Sequence, residues 1–370
     1  MKNIYLLIFS LISIALFTSG IYVAAYEVFP YNIVKSVKNN FLDVSNEKLV
    51  YYENDPASLL NLNDKSLIQK TKDDLIYFFW KNNAMPERLP DQIEFNIIDS
   101  RYSELQNLES IDKITIKMNH DVNSFSYLFT PTISNNKLIL YHQGHGGDFI
   151  KGKSSIQFFL DNNYSVLAFS MPLLGMNNQP LFTDSMFGQI KLKSHNHFEF
   201  LETESFEPIS LFIEPPIIAL NYIEKNYTFD SIHMVGISGG GWTTMMVSTL
   251  ESRIDQSFSV AGSYPIYLRS ETKNFGDYEQ HNSKLYRIAN YLDLYSLASF
   301  GENRKFIQIF NENDPCCFNG DLFLSYKNII IKNVENLGKG YFDIYLDETH
   351  NEHKISDYSL EVIINTIENE

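Results

Sequence analysis

Two kinds of hydrophobic spacing take turns along most of this 370-residue chain. Short apolar runs bounded by turn residues predict strands buried on both faces; apolar positions three or four apart predict helices. Three strands are expected first, over 93–98, 111–118 and 123–130, with alternation strongest at Ile114, Ile116 and Met118. After a turn over 131–136, Lys137 to Tyr141 reads as a buried strand, 155–160 as a helix and 164–170 as another strand. The stretch 209–227 has a helical pattern. Pro215 and Pro216 are expected to kink or interrupt it, because proline lacks a backbone donor and crowds the preceding turn. Strands follow at 232–237, 254–261, 305–310 and 341–346, with helices at 243–250, 322–334 and 355–368. Strands alternating with helices predict an α/β fold: a mostly parallel central sheet with helices on both faces. No internal repeat is visible.

Three regions depart from the alternation. Residues 4–25 carry no charge and follow a short positive start, Met1-Lys2-Asn3. A buried core helix aside, they fit either a signal peptide, cleaved after the small residues Val23-Ala24-Ala25, or an uncleaved membrane anchor. Both place the rest of the chain outside the cytoplasm, secreted, periplasmic or membrane-anchored. Residues 26–90 read as an extension in which 66–82 is helical, with Leu67, Leu75, Ile76, Phe79 and Trp80 on one stripe, expected to pack on the main domain. The main domain then spans 91–370, with insertions at about 172–208 and 262–303 that read as lids, binding loops or surface decoration.

Composition narrows the class. Hydrophobic content of 44% and charged content of 20% indicate a globular chain. The net charge of −16 removes the basic footprint that nucleic acid would need. The only cysteines, Cys316 and Cys317, are adjacent, so they build no disulfide framework and read as two small apolar core residues.

Chemistry concentrates where the strand 232–237 runs into the next helix. Gly236-Ile237-Ser238-Gly239-Gly240 is a G-x-S-x-G pentapeptide. A nucleophile on so sharp a turn needs strained backbone, and glycines two before and two after remove the side chains that would clash. A serine hydroxyl is a weak nucleophile, so it needs a base, a group that orients the base, and N–H donors for the developing oxyanion. The glycine-rich His142-Gln143-Gly144-His145-Gly146-Gly147 loop follows the strand 137–141. Gly144, His145 and Gly146 are therefore candidate donors, with Gly239 beside the serine. The acid is expected after the strand 305–310: Asp314 first, then Glu312 and Asp321. The base is expected after the strand 341–346, at His353 or alternatively His350. The order Ser238, Asp314, His353 is the Ser…Asp…His order.

With these residues the chain resembles the α/β-hydrolase superfamily over roughly 93–370. It looks closest to the esterase and dienelactone-hydrolase-like branches, through the Gly236–Gly240 elbow, the His142–Gly147 loop, Asp314-Pro315 and His353-Lys354-Ile355-Ser356. The resemblance implies a Ser-His-Asp hydrolase that cleaves carboxylic esters through an acyl-enzyme, with no cofactor. Gln143 departs from the family by splitting the usual His-Gly pair. Small-molecule or carbohydrate-linked esters are the expected substrates. A peptidase or amidase on the same fold, or a non-catalytic binding protein that retains it, are the alternatives. His142 and His145 are read as loop residues rather than triad or metal residues. His195-Asn196-His197 has metal-ligand character but no further ligands nearby in sequence, so no metal is expected. Asn163-Tyr-Ser165 and Asn226-Tyr-Thr228 match the glycosylation pattern, a frequent chance match.

Overall fold

The short apolar runs become β1 (Gln92–Glu94), β2 (Leu108–Ile116), β3 (Ser124–Pro131), β4 (Lys137–His142) and β5 (Ser165–Phe169). They are followed by β6 (Leu181–Asp184), β7 (Gly188–Lys191), β8 (Ser231–Ile237), β9 (Gln256–Val260), β10 (Lys305–Asn311) and β11 (Tyr341–Asp347). In this computed structural model, residues 55–269 and 275–369 are described, together with positions 13, 18 and 19. Apart from those three positions, the expected export segment and the extension before residue 55 lie outside the described residues. Among the described residues, no helix is long and apolar enough to cross a membrane.

Nine of the described strands form one sheet, in the order β1-β2-β3-β5-β4-β8-β9-β10-β11. The links from β1 to β5 are antiparallel, and every link from β5 to β11 is parallel. Consequently β4, β8, β9, β10 and β11 all end at one edge of the sheet, where open parallel sheets place their sites. β6 and β7 pair as a separate hairpin within 172–208.

Helices at Lys153–Asp161, Ser210–Asn226, Gly239–Leu250, Lys327–Leu337 and Asp357–Glu368 cover the sheet. The Gly239–Leu250 helix is buried along its whole length, which marks it as the central one. Four expectations are corrected. β1 ends at Glu94 rather than 98, because Asn96 turns to a φ of 50° and gives its N–H to the Asp112 carboxylate at 2.8 Å. The Ser210–Asn226 helix runs through Pro215 and Pro216 without interruption. Both prolines are buried as the helix packs on β2 and on the Gly239–Leu250 helix, and that burial offsets the missing backbone bonds. The Lys65–Trp80 helix buries Ile68, Leu75, Phe78 and Phe79, so its inner face is rotated away from the expected Leu67, which is exposed. Cys317 is buried, but Cys316 is exposed and joined to it by a disulfide, so the pair is not two core thiols.

The stretch 262–303 folds as short helices, Ile266–Arg269, Tyr278–His281, Ser283–Ile288 and Tyr291–Ser299. The last is wholly buried against the Gly239–Leu250 helix. Its Asp293 accepts the N–H groups of Asn61 and Leu62, both at 2.8 Å, and so ties the extension to the same layer.

Arg304, just before β10, is buried and donates to the carbonyls of Ser248 and Glu251 at the end of the central helix. Those carbonyls have no helical successor, and the cation sits at the negative end of the helix dipole. Arg304→Met should therefore lower stability by about 2–3 kcal/mol in urea unfolding, with the folded far-UV spectrum unchanged.

Candidate active site

β8 and its helix meet at Ser238, whose φ of 57° and ψ of −127° lie where a non-glycine residue is strained. Backbone bonds hold it there. Its N–H donates to Val260 O at 2.9 Å, and its carbonyl accepts from the Trp242 N–H at 3.0 Å. The flanking glycines are required by contact. A Cβ on Gly236 would stand 2.1 Å from Gly240 O, and one on Gly240 would stand 2.1 Å from His142 O. A Cβ on Gly144 would lie 2.4 Å from Ile237 O and 2.6 Å from the Ser238 Cβ. The loop after β4 thus touches the elbow, and Gly144 is its point of contact. Gly239 opens the helix, so its N–H is one of those without a helical partner. Gly146 looks instead toward the side chains of Gln143 and Lys151. Burial pushes the His142 imidazole down to about 4, which keeps it neutral.

Across the same edge, Asp314 and His353 meet. His353 Nδ1 lies 2.6 Å from Asp314 Oδ2. The other carboxylate oxygen accepts the Cys316 N–H at 2.7 Å. Asp314 is buried, and His353 Nε2 is buried without a hydrogen-bond partner among the described residues. No hydrogen bond joins it to the Ser238 hydroxyl among the described residues, and such bonds often tighten only around substrate. Glu312 and Asp321, the other candidate acids, are exposed.

The loop that carries His353 is held from below. Asn311, at the end of β10 and fully buried, donates its amide to the carbonyls of Glu352 and Lys354, at 3.3 and 3.1 Å, one on each side of His353. Asp347, at the end of β11, accepts from the Thr349 N–H and hydroxyl at 2.9 and 2.6 Å and from the Ser356 hydroxyl. Burial works against the Asp347 charge, but those hydrogen bonds overcome it and hold the pKa below its ordinary value. His350 is engaged with this anchor. Its Nε2 lies 3.2 Å from Asp347 Oδ2, and its Nδ1 accepts the Glu352 N–H at 3.0 Å.

A second group lies next to the elbow. His145, from the β4 loop, meets His195, Asp277 and Glu279. Its ring also reaches the elbow, since a Cβ on Gly239 would stand 2.5 Å from His145 Cε1. Burial pushes the His145 pKa down, yet the Asp277 and Glu279 carboxylates outweigh that and raise it to about 10. Burial disfavours the Glu279 charge, but the two imidazoles hold its pKa well below the carboxylate range. Asn311, Asp347, Asp277 and Glu279 were not singled out from the sequence. His195 was, but its partners lie fifty or more positions away.

No family model matches the sequence, and no curated protein matches it. Solved structures do. An acetyl xylan esterase from Paenibacillus sp. R4 aligns with a TM-score of 0.55 at 14% identity, over 82% of this chain and 93% of its own. A glucuronoyl esterase from Solibacter usitatus aligns with a TM-score of 0.55 at 14% identity, over 88% of this chain and 99% of its own. Acetyl xylan esterase 1 from Thermoanaerobacterium sp. JW/SL YS485 gives 0.53 at 12% identity, over 81% and 92%. The chain has the α/β-hydrolase fold.

In an α/β-hydrolase the nucleophile stands on a strand-to-helix turn at the top of the sheet, the position Ser238 occupies here. The backbone packing behind this α/β-hydrolase elbow leaves no space for a methyl group at Gly240. Gly240→Ala should cost about 3 kcal/mol or more of stability, read as a shift in the urea midpoint.

Proposed function

We propose that this protein is a serine hydrolase of carboxylic esters. Ser238 Oγ attacks the acyl carbonyl while His353 Nε2 takes its proton. Asp314 fixes the tautomer with the proton on Nδ1 and stabilises the imidazolium that forms. The N–H groups of Gly239 and of the Gly144–His145 segment receive the oxyanion. The tetrahedral intermediate collapses as His353 returns the proton to the departing alcohol, leaving an acyl group on Ser238. Water, deprotonated by the same imidazole, then releases the acid and restores the hydroxyl.

The observation that carries this reading is the pair of the buried Asp314 and the half-buried His353, closed at 2.6 Å on one nitrogen with the other nitrogen left unpartnered among the described residues. It stands at the strand edge where the strained Ser238 stands. His353 is favoured over His350 as the base because Asp314 holds its Nδ1, whereas His350 Nδ1 accepts the Glu352 N–H, which leaves the proton of the neutral ring on Nε2 facing Asp347. Small or carbohydrate-linked esters are the proposed substrates, the second being the kind that the names of the acetyl xylan and glucuronoyl esterases carry. The proposed place of action is outside the cytoplasm, with residues 1–25 as leader or anchor.

Ser238→Ala should reduce hydrolysis of p-nitrophenyl acetate to background and abolish labelling by a fluorophosphonate probe, with thermal unfolding unchanged. Wild-type protein that is not labelled at Ser238 refutes the proposal. A paired ester and amide substrate should show cleavage of the ester alone. Asp314→Asn should retain KM and lower kcat by about 10⁴-fold, since the amide favours the wrong imidazole tautomer.

A further inference from the structure

We propose that His145, His195, Asp277 and Glu279 form a closed, four-ligand Zn²⁺ site that staples both insertions to the loop beside Ser238. Three distant parts of the chain supply it: the loop after β4, the segment after β7, and the Tyr278–His281 helix with the residue before it. Their ligand atoms all lie within 4.8 Å of one another. The separations suit a tetrahedron. Zinc bonds of 2.0–2.1 Å give neighbouring ligand atoms about 3.3 Å apart. Here His145 Nε2 lies 3.0 Å from Asp277 Oδ2, 3.0 Å from Glu279 Oε1 and 3.2 Å from His195 Nδ1. His195 Nδ1 lies 3.2 Å from Glu279 Oε2 and 3.8 Å from Asp277 Oδ2.

Proton bookkeeping points the same way. His195 Nε2 lies 2.9 Å from the Pro172 carbonyl oxygen, which only accepts, so that nitrogen carries a proton. An imidazole that donates one nitrogen to a backbone carbonyl presents the lone pair of the other, the arrangement usual for metal-bound histidine. That lone pair faces the same space as His145 Nε2 and both carboxylates. A single proton between the rings makes one N–H···N hydrogen bond and leaves the Glu279 carboxylate without a donor. A proton on each sets two N–H groups against one another across 3.2 Å. Meanwhile both Glu279 oxygens are fully buried with no hydrogen-bond donor in good geometry. A divalent cation satisfies all four side chains at once and neutralises both carboxylates. Two nitrogens and two carboxylates favour zinc over calcium or magnesium, which take oxygen ligands. With four protein ligands the site keeps no open position, so its role is structural.

The full-length, untagged protein, stripped with EDTA and dialysed against ZnCl₂, should retain one zinc per chain by elemental analysis and unfold at a higher temperature than the stripped form. Co²⁺ in place of zinc should give the visible absorption of a tetrahedral centre. His195→Ala and Asp277→Asn should each weaken zinc binding by about 100-fold or more and remove the Co²⁺ spectrum. Asp277 is half exposed, so its amide variant tests the site even if His195→Ala does not fold. Wild-type protein that holds no more zinc than Asp277→Asn and gains no thermal stability from it overturns the proposal, leaving a hydrogen-bonded histidine–carboxylate network. Fluorophosphonate labelling of Ser238 reads the hydrolase assignment separately, because it does not depend on the metal content.

Discussion

Where β4 and β8 end, backbone lies directly on backbone, and only hydrogen fits between. Gly240 rests on the His142 carbonyl, and Gly144 rests on Ile237 and on Ser238 itself. This close approach sets the position of everything else at the edge of the sheet. It brings the loop after β4 within reach of the serine. It also forces Ser238 into a conformation that only the surrounding packing sustains. The wholly buried helix behind it supplies that packing, and Arg304 and the Tyr291–Ser299 helix in turn fix the helix. The strain at one residue is supported by a large part of the core.

The other half of the site depends on polar bonds. Asp314 and His353 sit on loops, and loops need anchors if they are to hold a 2.6 Å hydrogen bond. Asn311 and Asp347 provide them from the ends of neighbouring strands. Asn311 grips the backbone on both sides of His353, and Asp347 gathers Thr349, Ser356 and His350 beneath the same loop. Both anchors are fully buried, so leaving their partners unmade carries a large desolvation cost. The geometry of the late loop is therefore coupled to the register of β10 against β11.

The parts of this arrangement that depend on local pattern were readable in the sequence. β4, β8 and β10 lie where their apolar runs put them, and the glycines around Ser238 and in the β4 loop announce a close approach. Parts governed by distant contacts were not. The segment Lys354-Ile355-Ser356 before the last helix points to His353 rather than His350, but not to the carboxylate each meets. Pro215 and Pro216 read as a break because the pattern carries no record of how thoroughly their helix is buried. On Lys65–Trp80 the expected Leu75 and Phe79 are buried, but at the start of the helix Ile68 rather than its apolar neighbour Leu67 turns inward. Asn311 resembles any strand-end asparagine until Glu352 and Lys354 are seen on either side of the loop it holds.

His145 shows why site and insertions are one problem. Its main chain belongs to the glycine-rich loop that lies against the elbow. Its side chain passes close to Gly239 and reaches His195, Asp277 and Glu279. The histidine on a glycine turn thus joins the loop beside Ser238 to both stretches that break the α/β alternation. A loop rich in glycine is free to adopt the required turn but has little of its own to hold it there. Tethering the His145 side chain in a charged cluster supplies the rigidity that the glycines give up.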